Sequence, residues 1–557
     1  MNYRNWTKYI LIKLNKLTLV TKYIIGKQLI KCKQLFGGTM KAVTGTDMGK
    51  LDKFSIEKIG IPGVVLMENA ALKIVKHINL YFEQEQHLER NIVIVAGKGN
   101  NAGDAFAVAR HLFLSGNKVK LYCLFNRELI TGDARLNLNI LQNLGVVTQI
   151  LEDEAGLEQL FSDIKNAKLV VDGIFGTGFR GQVQGHIAKV IELINASSRY
   201  IISIDIASGI ESATGKVADF CVKANKTVTF ELPKIGQLVY PGANYTGQLV
   251  VETIGMPKQA IESIGLNTNL TDSDFLNNVI PKRQAEFNKG NCGKVMIITG
   301  SIGMAGSGCI AAKASLRTGS GLVYIAGPSS LINIYQSVVP EAVAIRLEDN
   351  SGIISEKSTD TILDMLKKCN VAAIGPGLSV SESIYNIINS IAESISIPVV
   401  LDADALNAIS KNTALFQKFK KAVVITPHPG EMSRLTGLEI SYIQNNRIDV
   451  ARKYSTMWGV VIVLKGAKTI IADKDGKVHI NPTGNAGMAT AGSGDALTGI
   501  ITSIMGQGVN AYDAAVAGTY IHGLAGDIAA TSKGEAGLTA MDIVENVPYA
   551  IKKYNNL

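Results

Sequence analysis

From Met40 onward, short apolar runs alternate with glycine-rich turns and longer amphipathic stretches. Residues 92–96, 169–171 and 201–204 are apolar at nearly every position rather than at every second one. Such runs predict strands buried on both faces, hence a mostly parallel sheet under helices. Each ends in a polar or glycine turn: GKGNNAGD (97–104), DGIFGTG (172–178) and DIASG (205–209). Ligands bind at the carboxyl ends of strands in such sheets, so the three turns are expected to meet on one edge. Around 256–290 the pattern loosens. Pro257, Pro281 and the polar run 267–274 predict a connector, with 256–271 as the linker. A second series of apolar runs follows at 294–299, 371–374, 399–401, 423–426 and 460–464. These end in Gly300-Ser301, GPG (375–377), DAD (402–404), PHPGE (427–431) and Lys465-Gly466. The turns of the two halves differ, which predicts two unrelated α/β domains, 40–255 and 272–557, rather than a repeat.

With 557 residues, 46% hydrophobic and 18% charged, the chain has ample material for two large cores. Its net charge of +9 is concentrated at the start: eight Lys or Arg and no acid precede Met40. The rest is near neutral and gives no support for nucleic-acid binding. Apolar runs in the first 39 residues are too short and too broken by lysine to span a bilayer, and no secretory pattern is present. Gly37-Gly38-Thr39 before Met40 is encodable as a ribosome-binding sequence ahead of a start codon. Translation is therefore expected to begin at Met40, with 1–39 an artefact of start assignment. The six cysteines form no C-x-x-C and no zinc spacing, which fits small buried residues in a reducing cytoplasm.

The segment NAGMATAGSGD (485–495) carries the sharpest chemistry. A glycine turn runs straight into an apolar helical stretch, and unpaired N–H groups at such a helix start suit an anion. Asp495 sits at that point. A carboxylate beside a phosphate either caps the helix or takes a proton from a hydroxyl attacking that phosphate. In the first half, Asn101, Asp172 and Ser208 offer an all-oxygen set suited to a hard cation, unless the acids merely cap helices. His428, held between two prolines, is a ligand candidate, and Lys465 offers a cation to a nucleotide.

The run MKAVTGTDMGKLD (40–52), then GIPGVVLMENA (60–70), then GKGNNAGD resembles the NAD(P)H-hydrate epimerase (YjeF N-terminal) family across 40–255. The resemblance implies a Rossmann-like three-layer α/β domain. It also implies that hydrated NAD(P)H is bound by Asn100, Asn101, Ala102, Gly103 and Asp104, by Gly176, Thr177, Gly178, Phe179, Arg180, Gly181 and Gln182, and by Asp205. Asn101, Asp172 and Ser208 then hold potassium. Ala102 replaces the family's usual glycine and Ala207 its usual proline. If position 102 needs a positive φ, the methyl costs about 1 kcal/mol, and binding is expected to be retained but weaker.

The ordered set GS, GPG, DADAL, TPHPGE, KGAKT, NAG and GSGD resembles the ADP/ATP-dependent NAD(P)H-hydrate dehydratases, of ribokinase-like α/β fold, over 272–557. GSGD alone is shared with sugar and vitamin kinases. The resemblance implies that Ser307 (commonly Ala in the family), Gly377, His428 and Asp495 face the hydrated nucleotide. Lys465, Gly466, Ala467, Lys468, Thr469 and Gly494 then hold ADP or AMP. The expected enzyme is bifunctional. It epimerises hydrated NADH or NADPH and dehydrates one epimer with ADP or ATP and Mg²⁺. Asp495 acts as base in the dehydration and Asp205 as the proton-handling group in the epimerisation. Two rivals are a small-molecule kinase whose product keeps its phosphate and a non-catalytic NAD-binding first half. Homo-oligomers are compatible with this reading; membrane partners are not expected.

Overall fold

The computed structural model describes residues 39–86, 89–151 and 154–553. The basic stretch 1–39, apart from its last residue, lies outside the described residues, and with it the expectation about the start. The chain divides into two compact units, Met1–Leu266 and Asn267–Leu557. Among the described residues no helix is long and apolar enough to cross a membrane.

The first unit is built on seven strands: β1 (Asn91–Ala96), β2 (Lys118–Cys123), β3 (Thr148–Ile150), β4 (Leu169–Gly173), β5 (Tyr200–Ile204), β6 (Lys226–Phe230) and β7 (Gln248–Glu252). They lie in the order β3-β2-β1-β4-β5-β6-β7, and every pair is parallel. Alternate residues of β1 explain the three layers. Ile92, Ile94 and Ala96 pack with Leu66, Ile74, Phe106 and Leu138 on one face. Val93 and Val95 pack with Leu160, Ile164, Val190 and Ile194 on the other. The order reverses between β1 and β4, a switch point that opens a crevice at the carboxyl ends.

The second unit contains β8 (Thr268–Leu270), β9 (Lys294–Ile298), β10 (Leu322–Pro328), β11 (Val343–Leu347), the hairpin β12 (Asp349–Asn350) and β13 (Ile353–Ile354), β14 (Val371–Ile374), β15 (Val399–Leu401), β16 (Val423–Ile425), β17 (Val461–Leu464), β18 (Ile470–Ala472) and β19 (Val478–Ile480). The ten-stranded sheet runs β11-β10-β9-β14-β15-β16-β17-β18-β19-β8. It is parallel from β11 to β17, then antiparallel through β18 and β19. Its switch point lies between β9 and β14. There Gly300 N donates to Pro376 O (3.1 Å) and Ser301 Oγ to Gly377 O (2.9 Å). The helix Ser493–Gly506 is buried all round from Ala496 onward, which matches its unbroken run of apolar and small residues.

Two expectations change. The stretch 256–271 is built rather than a bare connector: Lys258–Ser263 is helical, and β8 pairs in parallel with β19. The polar residues of 267–274 misled because a three-residue edge strand needs little apolar content. Position 102 needs no positive φ. Ala102 lies in the helix Asn100–Leu114, donates to Gly99 O (3.0 Å), and buries its methyl completely in the apolar core. Ala102→Gly is therefore expected to destabilise the first unit by about 1 kcal/mol through helix propensity and lost burial. A urea unfolding midpoint unchanged from the parent would contradict this.

Candidate active sites

In the first unit, the three turns expected to meet do so at the carboxyl ends of the neighbouring strands β1, β4 and β5. Asp172, fully buried, organises them. Its Oδ1 accepts from Ser208 Oγ (2.5 Å) and Ile174 N (3.2 Å), and its Oδ2 from Ser208 N (2.9 Å) and Ser203 Oγ (2.8 Å). Burial still raises the Asp172 carboxyl above the usual range, the four donors opposing it. Asn101 Nδ2 donates to Phe175 O (2.9 Å), and Phe175 N donates to Ser208 Oγ (2.9 Å). Asn101, Asp172 and Ser208 thus enclose the turn after β4. Above it the helix Asn100–Leu114 begins, and among the described residues the N–H groups of Asn100 and Asn101 donate to no acceptor. These free donors suit an anion.

The loop from Gly176 to Gln182 closes one side of this edge, through Ser212 Oγ donating to Thr177 O (2.8 Å) and Asp219 N to Gln182 Oε1 (2.8 Å). Arg180 is exposed and bonds its own loop, donating to Phe179 O at 2.6 Å. Asp205 ends β5 at φ +60°, with Ile206 N bonded to Ile204 O (2.7 Å). This tight γ-turn is a strained conformation for a residue with a side chain. Its Oδ1 accepts from Thr229 Oγ1 (2.9 Å), Phe230 N (3.2 Å) and the Lys234 ammonium. Lys234 is 1% exposed at its side chain and also donates to Thr229 Oγ1 (2.8 Å) and Phe230 O (3.2 Å). Ala207 is fully buried, and among the described residues its N–H bonds nothing. Proline and alanine are therefore interchangeable there as far as donors are concerned.

In the second unit, Gly492 (φ +84°) caps the helix Ser493–Gly506 without a side-chain bond. Among the described residues the N–H groups of Gly494 and Asp495 donate to no acceptor, so two donors face the crevice. A Cβ on Gly494 would lie 3.2 Å from Lys465 Nζ, which places the ammonium directly behind this turn. Lys465 donates to Asp402 Oδ1 (2.9 Å) and lies 3.7 Å from Glu431 Oε2. Burial works against its charge, but Asp402 and Glu431 outweigh burial and hold Lys465 above its ordinary value. Thr498 Oγ1 bonds the other Asp402 oxygen at 2.7 Å. Asp495 is half-buried and pushed up to about 6, by burial first and then by the Asp402 charge, while a Ser307 hydrogen bond and Lys465 pull it down. Gly377, at φ +62°, brings its backbone against Met304 and Ser307. Ser307, Gly377, Gly494, Asp495 and Lys465 therefore share one end of the sheet.

His428 is rigid for a reason other than its prolines. Its Nδ1 accepts from Gly430 N (3.0 Å) and Glu431 N (3.2 Å), and its N–H donates to Glu431 Oε2 (2.7 Å), closing a capping box. An Nδ1 engaged as acceptor fixes the neutral imidazole with Nε2–H, and burial lowers its titration accordingly. The nucleotide loop is less uniform than expected. Lys468 (φ +56°) turns its Nζ to Pro482 O (2.8 Å), and Thr469 Oγ1 bonds Gly466 O (2.9 Å).

Residues 295–549 match the family described as NAD(P)H-hydrate dehydratase, and residues 63–236 match the YjeF-related protein N-terminus. A bifunctional NAD(P)H-hydrate repair enzyme from Moorella thermoacetica is 42% identical over 514 residues, covering 92% of this chain and 97% of the relative. One from Thermofilum pendens is 35% identical, with 92% and 96% covered. The chain belongs to the bifunctional NAD(P)H-hydrate repair enzymes. Among solved structures, an ADP/ATP-dependent NAD(P)H-hydrate dehydratase from Bacillus subtilis, co-crystallised with ATP and Mg²⁺, is 30% identical. It covers 51% of this chain and 98% of its own, with a TM-score of 0.46.

For both the epimerase-type and the dehydratase-type unit, sequence reading missed the residues that set charge. Asp52, Asp402 and Glu431 stand in quoted motifs but carry no role there, and Lys234 stands in none. Lys234 was findable, because Glu231 and Lys234 are the only charged residues in a stretch, 227–239, that is otherwise mostly apolar or small and wholly buried. Gly375 (φ +134°) supports the dehydratase-type site from below, where a Cβ would run into the Asp402 carbonyl oxygen. Gly375→Ala is expected to destabilise the second unit by about 2–4 kcal/mol, combining a backbone clash with an unfavourable φ. Parent-like thermal unfolding would contradict that.

Proposed function

We propose that the second unit uses Asp495 to phosphorylate the C6 hydroxyl of the S form of hydrated NAD(P)H, and that the first unit interconverts the R and S forms. The single supporting observation is a carboxylate placed beside two unpaired helix-start N–H groups with a lysine behind them. Asp495 accepts the C6 hydroxyl proton while that oxygen attacks the terminal phosphate of ADP, and AMP departs. Gly494 N, Asp495 N and the Lys465 charge stabilise the transferring phosphoryl group. The new C6 substituent is a good leaving group. The N1 lone pair expels phosphate, and loss of a C5 proton restores the C5–C6 double bond. His428, with Nε2–H exposed, and Gly377 orient the nicotinamide end.

Magnesium neutralises phosphate charge when bound. Among the described residues no group of three His, Cys, Asp or Glu is placed to hold a metal ion, which fits an ion carried in by the nucleotide. In the first unit, Asn101, Asp172 and Ser208 would hold potassium. Their all-oxygen donors, converging on one turn, fit a hard cation, which supplies positive charge near the substrate's diphosphate.

The test is recovery of reduced-cofactor absorbance from purified hydrate with ADP or ATP. Asp495→Asn is expected to lower that rate by about 10²–10⁴ while epimer exchange continues; full recovery in the variant removes Asp495 from the mechanism. The parent rate should fall as pH drops through about 6, because the protonated carboxyl cannot accept the hydroxyl proton. A flat profile between pH 5 and 7, with chemistry rate-limiting, would count against the assignment. Replacing potassium by lithium should slow epimer exchange, followed by NMR, and leave dehydration unaffected.

A further inference from the structure

We propose that Asp104 is the acid and Asp205 the base of C6 epimerisation, and that the buried Lys234 fixes the Asp205 carboxyl in place for that role. This rests on the epimerase reading of the first unit. Asp205 and Asp104 come from the ends of β5 and β1, two of the three strands that line the crevice. Asp205 uses Oδ1 for three donors, one of them the Lys234 ammonium, and no described residue bonds its Oδ2. Asp104, buried at 9% exposure, bonds no described residue through its carboxyl. It is one turn into the helix whose first N–H groups are free. One carboxylate is thus locked onto a cation, while the other is enclosed without a partner.

Burial bears on the acid. Burial raises Asp104 well above the ordinary carboxylate range, and the Asp205 and Asp52 charges add to this, with Lys234 opposing. Asp52, from the helix Gly45–Phe54, is itself pushed up to about 6 by burial. Of the other charged groups on elements packed against the Asp104 helix, Asp172 on β4 is bonded by Ser203, Ser208 and Ile174, and Lys73, Lys76 and His77 face Glu252. Glu68 pairs with Arg110 and His111, and Asp133 and Arg135 lie at the start of the neighbouring helix Gly132–Asn143. A carboxyl with no bonded partner, set at the same edge as one bonded to an ammonium, is an arrangement that suits an acid and a base.

The chemistry balances without a further reagent. Asp104 gives its proton to the C6 hydroxyl oxygen; the C6–O bond breaks and its electron pair leaves with water. The N1 lone pair forms the N1=C6 iminium. Water adds to the opposite face of C6 and gives a proton to the Asp205 carboxylate. Transfer of that proton back to Asp104 through solvent resets the site. Lys234 touches no reacting atom and is a positioning residue.

The experiment first measures R/S exchange by NMR in the full chain with potassium present. Absence of exchange there defeats the epimerase reading itself. With exchange present, Asp104→Asn should lose about 10²–10⁴ in kcat while still binding the hydrate in a titration; unchanged kcat, or a loss confined to KM, overturns the proposal. Lys234→Met should lower the exchange kcat at least tenfold with the KM little changed, and Lys234→Arg should restore part of that loss, because Arg again places a cation on Asp205 Oδ1. An unchanged kcat in Lys234→Met, or no recovery in Lys234→Arg, overturns the role of Lys234. Urea unfolding of the full chain, compared with the parent, reports folding of the first unit in each variant, and if Lys234→Met does not fold, the Asp104→Asn result decides.

Discussion

One lysine ammonium, taken out of water and set among carboxylates, is the interaction on which each site depends. Lys234 is nearly sealed, with Asp205 on its ammonium and Asp104 and Asp52 within reach of its charge. Lys465 bonds Asp402, faces Glu431, and acts on Asp495. In both cases three acids share a single cation. Burial raises Asp104 and Asp52 in the one and Asp495 in the other above the ordinary carboxylate range, and the lysine opposes it. The two arrangements arise on different sheets and from unrelated turns, but they answer the same demand: an acid must work beside an anionic substrate without being expelled by it.

The backbone makes this tolerable. Parallel strands deliver every such turn to one edge, and the helices that follow present unpaired N–H groups there. Free donors at Asn100 and Asn101 in one unit, and at Gly494 and Asp495 in the other, add positive potential that needs no side chain. Strained conformations gather at the same edges. Asp205 and Glu231 occupy matching tight turns after β5 and β6, both at φ +60°, and Ala403 sits between Asp402 and Asp404 at φ +48°. Each is fixed by packing around it; Glu231, for instance, bonds the β7 strand through its N–H to Glu252 O (2.8 Å).

Much of this architecture was legible in the residues. Strands whose every position is apolar announced themselves, and 371–374 and 399–401 coincide with β14 and β15. The turns at 97–104, 172–178 and 205–209 were readable because chemistry-bearing residues follow directly on apolar runs. What escaped had weaker local signals. β2, with exposed Lys118 and Lys120, reads as polar, and β8 is three residues held by its neighbour β19. His428 looked like a ligand because proline rigidity is visible in sequence, whereas its capping bonds are not. Lys234 and Asp402 act through partners distant in the chain, and such pairing has no local signature. The substitution at 102 raised an expectation of strain that a helical φ removes.

The strand at Thr268–Leu270 bears on how the two halves can be parted. Among the described residues its only ladder neighbour is Val478–Ile480, so it is the outermost rung of the second sheet. A fragment of the gene starting at Asp272 would strip that rung away and leave an uncovered, apolar edge open to self-association. The natural place to divide the protein is the short step after Leu266, where the compact units themselves divide.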